Sequence, residues 1–399
     1  MVQPRLSPEV KRLGWVSFFT DISSEMLYAI TPIFLTTVLG ASAGVVGIIE
    51  GIAEATASIL KGLSGWYSDR IRNRKGFVLA GYALSALAKP LIAIAGSWLF
   101  VLFARFLDRF GKGVRSSARD ALIADVTPKE LRGRAFGLHR AMDTAGALLG
   151  VAISLYIIET YGNTGKLQIL LRNLYWLAFI PAAIGVLFIF FIREPKSAPS
   201  SEPRKLKLTG AKFGKRYWLI VTIASIGYLG FSSDAFLILK AKDIGLSLTN
   251  VLLAYLAYNA CYTLASYPIG KLSDKIRMEY LLSAGLLIYA VVYWGMASVE
   301  SRLAVITLFV VYGFYAAMTE GVIRALIANV VSADVKATAL GIFNMITGLL
   351  ALSASLLAGW LWDNVSSDAP FYLGAAFAAV AAIGFLFISL QRNRALSPL

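Results

Sequence analysis

The sequence predicts an all-α polytopic membrane protein, with twelve transmembrane helices in two pseudo-symmetric six-helix halves. Three observations carry this reading. The 399 residues are 58% hydrophobic and only 15% charged, and the mean hydropathy is +0.69. That composition belongs to polytopic helical membrane proteins. The length allows about 33 residues per span and loop, against about 20 needed to cross the hydrocarbon. Finally, short segments of the first half recur in order in the second.

Taken along the chain, the apolar runs place spans at 13–38, 44–67, 76–96, 98–124, 134–158 and 168–192. They continue at 217–241, 248–269, 279–298, 302–328, 338–361 and 369–390. This gives an N-terminal bundle over 1–192, a linker over 193–216, and a C-terminal bundle with a short tail over 217–399. Pro32, Pro90, Pro181 and Pro268 fall within or near spans, where a bundle tolerates them as kinks. The first apolar run is too long for a cleaved signal and carries Asp21 and Glu25, so it reads as a retained span.

Orientation follows from lysine and arginine near the span ends. One set of loops holds Arg70, Arg72, Arg74 and Lys75, then Lys129, Arg132 and Arg134, then Lys271, Lys275 and Arg277. The N-terminal segment and the tail lie on this side, so both termini are expected in the cytoplasm of a multi-pass plasma-membrane (inner-membrane) protein. The linker carries eight Lys/Arg against two acids, and anionic lipid is its expected neighbour. The net charge of +15 is thus a property of loops, and nucleic acid is not an expected partner.

The repeat is specific. GWYSDRIR at 65–72 matches GKLSDKIR at 270–277, an offset of 205. Gly40 and Ser42 match Gly245 and Ser247 at the same offset, and ALIA recurs at 121–124 and 325–328. Ordered matches at nearly one offset indicate two structural repeats.

The fourth span is the most unusual. RFLDRFGKGVRSSARD, residues 105–120, has seven charges in sixteen residues. On a helix they share an arc of roughly 140°, with Phe106, Leu107, Phe110, Val114 and Ala118 opposite. Seven charges facing lipid would cost on the order of 20 kcal/mol, so the arc must meet protein or a wet cavity. The acids available to answer it are Asp21, Glu25, Glu50, Glu54 and Asp143, with Asp108 and Asp120 on the span itself. Seven membrane cations (Lys89, Arg105, Arg109, Lys112, Arg115, Arg119 and Arg140) face these seven acids. The balance favours a network of buried pairs for most of them. Arg115, Arg119 and Asp120 read as framework near the cytoplasmic end.

Other chemistry is thin. One cysteine, Cys261, and one histidine, His139, argue against a disulfide and against a thiolate or imidazole metal site. No Gly-rich Lys-Ser/Thr loop suggests nucleotide drive, and no nucleophile–base set suggests an enzyme. No cofactor is expected.

The Gly65, Asp69, Arg70, Arg74, Lys75 series resembles the loop signature of the major facilitator superfamily, with Arg72 in place of its second glycine. Gly270, Asp274, Lys275 and Arg277 repeat it. The resemblance covers essentially the whole chain and implies a secondary transporter of small molecules, monomeric, working by alternating access. It also implies a central cavity lined by spans one, four, seven and ten, and a gate at the cytoplasmic loop residues named above. Arg105 and Gly111 echo a drug/proton antiporter pattern, but Asp108 and Arg109 depart from it, and the fifth span lacks the antiporter proline. DISSE in span one, with DRFGKGVR and RDALIAD in span four, resembles a prokaryotic subgroup.

Within that frame, Asp21 and Glu25, then Glu54 and Asp143, are the proton-coupling candidates. Tyr28, Arg105, Asp108, Arg109, Lys112, Asp234, Tyr258, Glu320 and Arg324 are the cavity candidates. Glu320 and Arg324 stand one turn apart, the spacing of an internal ion pair. The tyrosines of span eight read as packing before platform. Proton-coupled efflux of drug-like or amphiphilic metabolites is the leading expectation. Transport of a small organic anion, or of a metal ion such as iron, is the alternative, and a non-transporting receptor or scaffold is the rival from another class.

Overall fold

The computed structural model describes residues 6–71, 73–128, 131–162, 166–194, 213–273, 275–332 and 336–394. All regular structure among them is helical. The expected span one comprises α1 (Pro8–Tyr28), α2 (Ile30–Ile33) and a π-helical turn (Phe34–Val38). Five long helices follow: α3 (Ala43–Ile71), α4 (Arg74–Ala93), α5 (Trp98–Asp125), α6 (Arg132–Tyr161) and α7 (Leu167–Phe190). Span seven comprises α8 (Lys215–Tyr228) and α9 (Ala235–Asp243). The rest are α10 (Leu248–Ser273), α11 (Met278–Ser298), α12 (Arg302–Val330), α13 (Lys336–Asn364) and α14 (Ala369–Arg394).

Local chemistry sets several boundaries. Ser7 caps α1 by accepting from the Val10 N–H, and Pro8 occupies the first turn, where its missing N–H costs nothing. Ser97 caps α5 through the Phe100 N–H. Pro32 has no N–H to offer the carbonyl of Tyr28, and the first span breaks at Ala29. Pro90, Pro181 and Pro268 are instead accommodated inside α4, α7 and α10. Gly40 and Gly245 both adopt positive φ, 64° and 91°. They stand 205 residues apart, so the same left-handed turn closes the first span of each half.

The chain forms two compact units, Met1–Ala41 with Ile52–Leu206, and Ser42–Gly51 with Lys207–Leu399. In the first, α1 packs on α6 and α7, while α4 packs on α5 and α7. In the second, α8 packs on α13 and α14, while α11 packs on α12 and α14. These are the same pairings carried through the repeat. The expected boundary put all of span two in the first half, but Ser42–Gly51 groups with the second unit. The Gly44 N–H donates to Asp363 at 2.8 Å, and a side chain at Gly47 would collide with the Ser355 carbonyl.

Val10, Leu13, Val16, Val78, Tyr82, Leu122 and Ile189 form a buried core in the first unit. Tyr217, Leu282, Ile323, Phe343 and Phe385 belong to its counterpart in the second. Large apolar side chains such as Phe103, Leu187, Phe190, Leu264 and Ile383 are exposed, as lipid contact requires. Among the described residues, eight helices are long and apolar enough to cross a membrane. The spans outside that set are α1, α5, the α8–α9 pair and α10. Three of them belong to the four spans expected around the cavity; α8 and α9 stand outside because the break leaves each too short to cross alone.

Candidate functional site

Polar groups gather in each unit around a different chemistry. In the first unit the organising element is α5. Its polar face approaches α4 closely because both helices offer glycine: a Cβ on Gly81 would lie 2.5 Å from the Gly111 carbonyl. Lys89 of α4 then reaches Asp108 at 2.8 Å, and Arg105 flanks the same carboxylate at 3.7 Å. Ser85 donates to the Asp108 carbonyl at 3.0 Å. Arg115 donates to the Ser85 hydroxyl and lies 4.3 Å from the Tyr82 ring centroid. Asp108 and Arg115 thus bind α5 to α4.

Further round the same face, Arg109 pairs with Glu54 of α3 at 3.6 Å. Arg119 pairs with its neighbour Asp120 at 2.9 Å and donates to Ser17 of α1 at 3.2 Å. Arg105, Arg109 and Arg115 are buried, whereas Lys112 is exposed. Asp21 and Glu25 lie half-buried on α1. Asp21 lies in the electrostatic field of two acids, Asp143 and Glu25, and of two cations, Arg115 and Lys112. Lys112 in turn feels Glu54 and Asp21 together. Asp143 of α6 faces His139 one turn away, with Nδ1 to Oδ2 at 3.5 Å. Gly146 and Gly150 bring α6 against the α1 backbone at Phe18 and Ile22. Asp21, Glu54, Lys112 and Asp143 therefore belong to one charged neighbourhood; Tyr28 lies at the end of α1, beside the break.

The second unit has an aromatic centre. The first span's break at Ala29 recurs 205 residues later at Asp234, between α8 and α9. Tyr312 donates to Asp234 Oδ1 at 2.7 Å, and Tyr289 donates to the Gly230 carbonyl at 3.1 Å. The Gly230 carbonyl of the irregular segment is thus answered by a side chain of the bundle, a need the absence of water in lipid imposes. Rings continue from this point. Tyr312 stands 5.3 Å from Tyr258 and 5.1 Å from Tyr315, and Tyr258 stacks on Tyr262 at 6.4 Å and 8°. Tyr262 then donates to Glu320 at 2.9 Å. The spacing of Glu320 and Arg324 suggests an internal pair, but Glu320 turns to the phenol instead.

At the loop joining α3 to α4, Glu194 accepts from the backbone N–H of Arg74 at 2.8 Å and of Lys75 at 3.1 Å. It caps α4 from 120 residues away. The Arg74 guanidinium pairs with Asp125 at the end of α5. Lys75 donates to the Phe190 and Ile192 carbonyls at 3.1 and 2.7 Å. Arg277, in the repeated loop, donates to the Ser389 carbonyl at 2.7 Å. Both loops therefore fasten to the last helix of their own unit. Gly270 and Lys275 are exposed. Gly65, Asp69 and Arg70 lie on the last turns of α3, with the Asp69 and Arg70 side chains outside the described set; Asp274 lies outside the described residues.

Several partners escape sequence reasoning: Glu194, Asp125, Tyr289, Tyr293, Tyr312 and Tyr315. Spacing held a signal for the last four. Tyr289 and Tyr293 are four apart and Tyr312 and Tyr315 three apart, so each pair shares a helix face. Glu194 offered no signal, since its target is a distant backbone.

The Major Facilitator Superfamily family model matches residues 13–255 and 219–398. An MFS-type transporter of Methanocaldococcus jannaschii, described as uncharacterised, is 36% identical over 389 residues, covering 96% of this chain and 95% of that protein. The inner membrane transport protein YajR of Escherichia coli is 26% identical, covering 94% and 83%. The multidrug resistance protein MdtH of Salmonella newport is 24% identical, covering 82% and 79%. Among solved structures, the nucleoside transporter NupG aligns with a TM-score of 0.77 at 13% identity over 95% of this chain and 99% of that one. A bacterial homolog of the human lysosomal transporter Spinster aligns at 0.76 and 15%, over 98% of each chain. At those identities the structural likeness speaks to the fold alone. The family match along both halves and a relative this similar from end to end place the chain in the Major Facilitator Superfamily of membrane transporters.

Proposed function

We propose that the chain exports a drug-like or amphiphilic solute in exchange for protons, with Asp21 and Glu25 as the coupling carboxylates. The observation that carries this is the setting of Asp21, half-buried in the electrostatic field of two acids and two cations. A carboxylate in such a setting feels opposing influences on its proton. A modest change in hydration or in the place of Lys112 then tips the balance. Glu54 and Asp143 complete the set, because their charges act in the same field: Glu54 on Lys112, and Asp143 on Asp21. The resemblance to MdtH and YajR supports a solute exporter more than a receptor.

The test uses purified full-length chain in proteoliposomes with an imposed pH gradient and a panel of cationic dyes and organic anions. Wild type should move a solute with the gradient, and Glu25→Gln and Asp21→Asn should each lower the driven flux about tenfold or more while leaving solute binding in place. Intact driven flux in both variants would remove these residues from the coupling role. No response to any gradient would remove proton coupling altogether.

One observation favours a second reading, an organic anion as solute. Lys112 is exposed on the charged face, and no ion pair joins it to an acid among the described residues. If anions alone are carried, and Lys112→Gln abolishes their binding, the second reading replaces the first.

A further inference from the structure

His139 is the one histidine of the chain, and it is buried about two turns into α6. Its Nδ1 stands 3.5 Å from the Asp143 carboxylate, one turn further on. Its Nε2 is buried with no hydrogen-bond partner among the described residues, and so is Oδ1 of Asp143. A neutral imidazole always offers one donor and one acceptor. Leaving a buried polar atom unanswered costs stability. Packing alone gives no reason to accept that cost, since an apolar side chain fills the same space without it. The two unanswered atoms therefore flank a contact between two groups that can both carry a proton.

The place of this pair in the bundle gives it a direction. α1 and α6 run side by side in parallel. Ser154 donates to the Met26 carbonyl at 2.6 Å across an offset of 128 residues. Gly150 meets Ile22, Gly146 meets Phe18 and Met142 meets Gly14 at the same offset. In that register Asp143 is level with Trp15 and His139 with Lys11. Asp143 thus lies about 9 Å along the axis from Asp21, and His139 about 6 Å beyond it. The direction is toward the end that the basic loops assign to the cytoplasm. Asp21 and Asp143 act on one another's charge. The charges acting on the imidazole are of both signs: Arg119 and Asp120 from α5, Arg140 and Asp143 from α6. Arg119 is itself held by Asp120 and by Ser17 of α1.

From this arrangement we propose that His139 is a proton relay between Asp21 and the cytoplasmic end of the first unit, working through Asp143. The inference rests on the reading of Asp21 as a coupling carboxylate and adds the route by which its proton leaves. Asp21 passes the proton to Asp143 through water of the open cavity. Asp143 gives it to Nδ1 of the neutral imidazole, and the imidazolium releases the proton held on Nε2. A half-turn of the ring restores the starting tautomer. Chains of acids and histidine serve as proton relays within membranes, and imidazole exchanges its proton more readily near neutral pH than any other ordinary side chain.

Because the histidine is unique, isotope labelling reports on it alone. The full-length chain carrying 15N-histidine is titrated in lipid nanodiscs by solid-state NMR, over about pH 4 to 9. Both imidazole nitrogens should change state with pH, and the midpoint should move by about 0.5 or more on the pH scale in Asp143→Asn. One neutral tautomer throughout would mark a sealed packing residue and would overturn the proposal. In proteoliposomes with an imposed pH gradient, the same cationic dyes and organic anions are then followed in His139→Gln. That variant keeps an amide donor but cannot pass a proton on. Driven flux should fall about tenfold, while solute exchange at equal pH should stay within about twofold of wild type. A merely structural role would lower both. If Asp21→Asn loses driven flux and His139→Gln keeps it, the relay falls and the coupling reading stands. No gradient response in wild type removes both.

Discussion

Lys89 and Asp108 show how much hangs on single side chains here. Both are largely buried, and they meet across two helices at 2.8 Å. Removing Lys89 leaves the Asp108 carboxylate to the longer Arg105 contact, at 3.7 Å, in a medium that solvates charge poorly. Lys89→Met should therefore destabilise the chain by about 3–5 kcal/mol. Lys89→Met combined with Asp108→Leu should recover most of that, because two apolar side chains need no partners. Thermal unfolding in detergent would check both; equal loss in the single and double variants would show that the pair is not coupled. The existence of this pairing was legible in the matched count of acids and bases. Its geometry was not, since no local pattern links residue 89 to residue 108. The same holds for Glu320, whose sequence neighbour Arg324 was the natural partner and whose actual donor is a tyrosine on another helix.

Among the elements, the broken spans are the most informative. In the first span, Pro32 announces the interruption in the sequence. In the seventh, no proline is present, and Gly230 with two serines and Asp234 gives only a faint signal of one. What holds the second break is tertiary: the Ser233 N–H donates to the Ser355 hydroxyl at 3.2 Å, and the Gly230 carbonyl accepts from Tyr289. Ser355 is buried, so Ser355→Ala leaves an amide donor unanswered and should cost about 1 kcal/mol or more. Hydrogen exchange at residues 230–234 should quicken in that variant while α11 and α14 keep their protection. Unchanged exchange would mean that the hydroxyl contributes nothing to the segment. Apolar periodicity located the long helices well, because lipid imposes one rule on all of them. It was least informative where helices turn polar faces to one another.

For the whole molecule, the repeat proved the most legible property. One offset relates Gly40 to Gly245, the break at Ala29 to that at Asp234, and the packing pairs of one unit to those of the other. Orientation is the property still resting on loop charge. If the basic loops face the cytoplasm, reporter tags at either terminus should be reachable only after the membrane is permeabilised. A tag labelled in intact cells would reverse the topology.

The shared left-handed turn has a historical consequence. A backbone conformation this uncommon, placed at Gly40 and again at Gly245, was already present in the ancestral half before its two copies diverged. The break that lies eleven residues upstream of each glycine dates from the same time. Yet one copy carries Ala29 there and the other Asp234. The two halves thus differ in chemistry at this position while keeping the same bend in the chain.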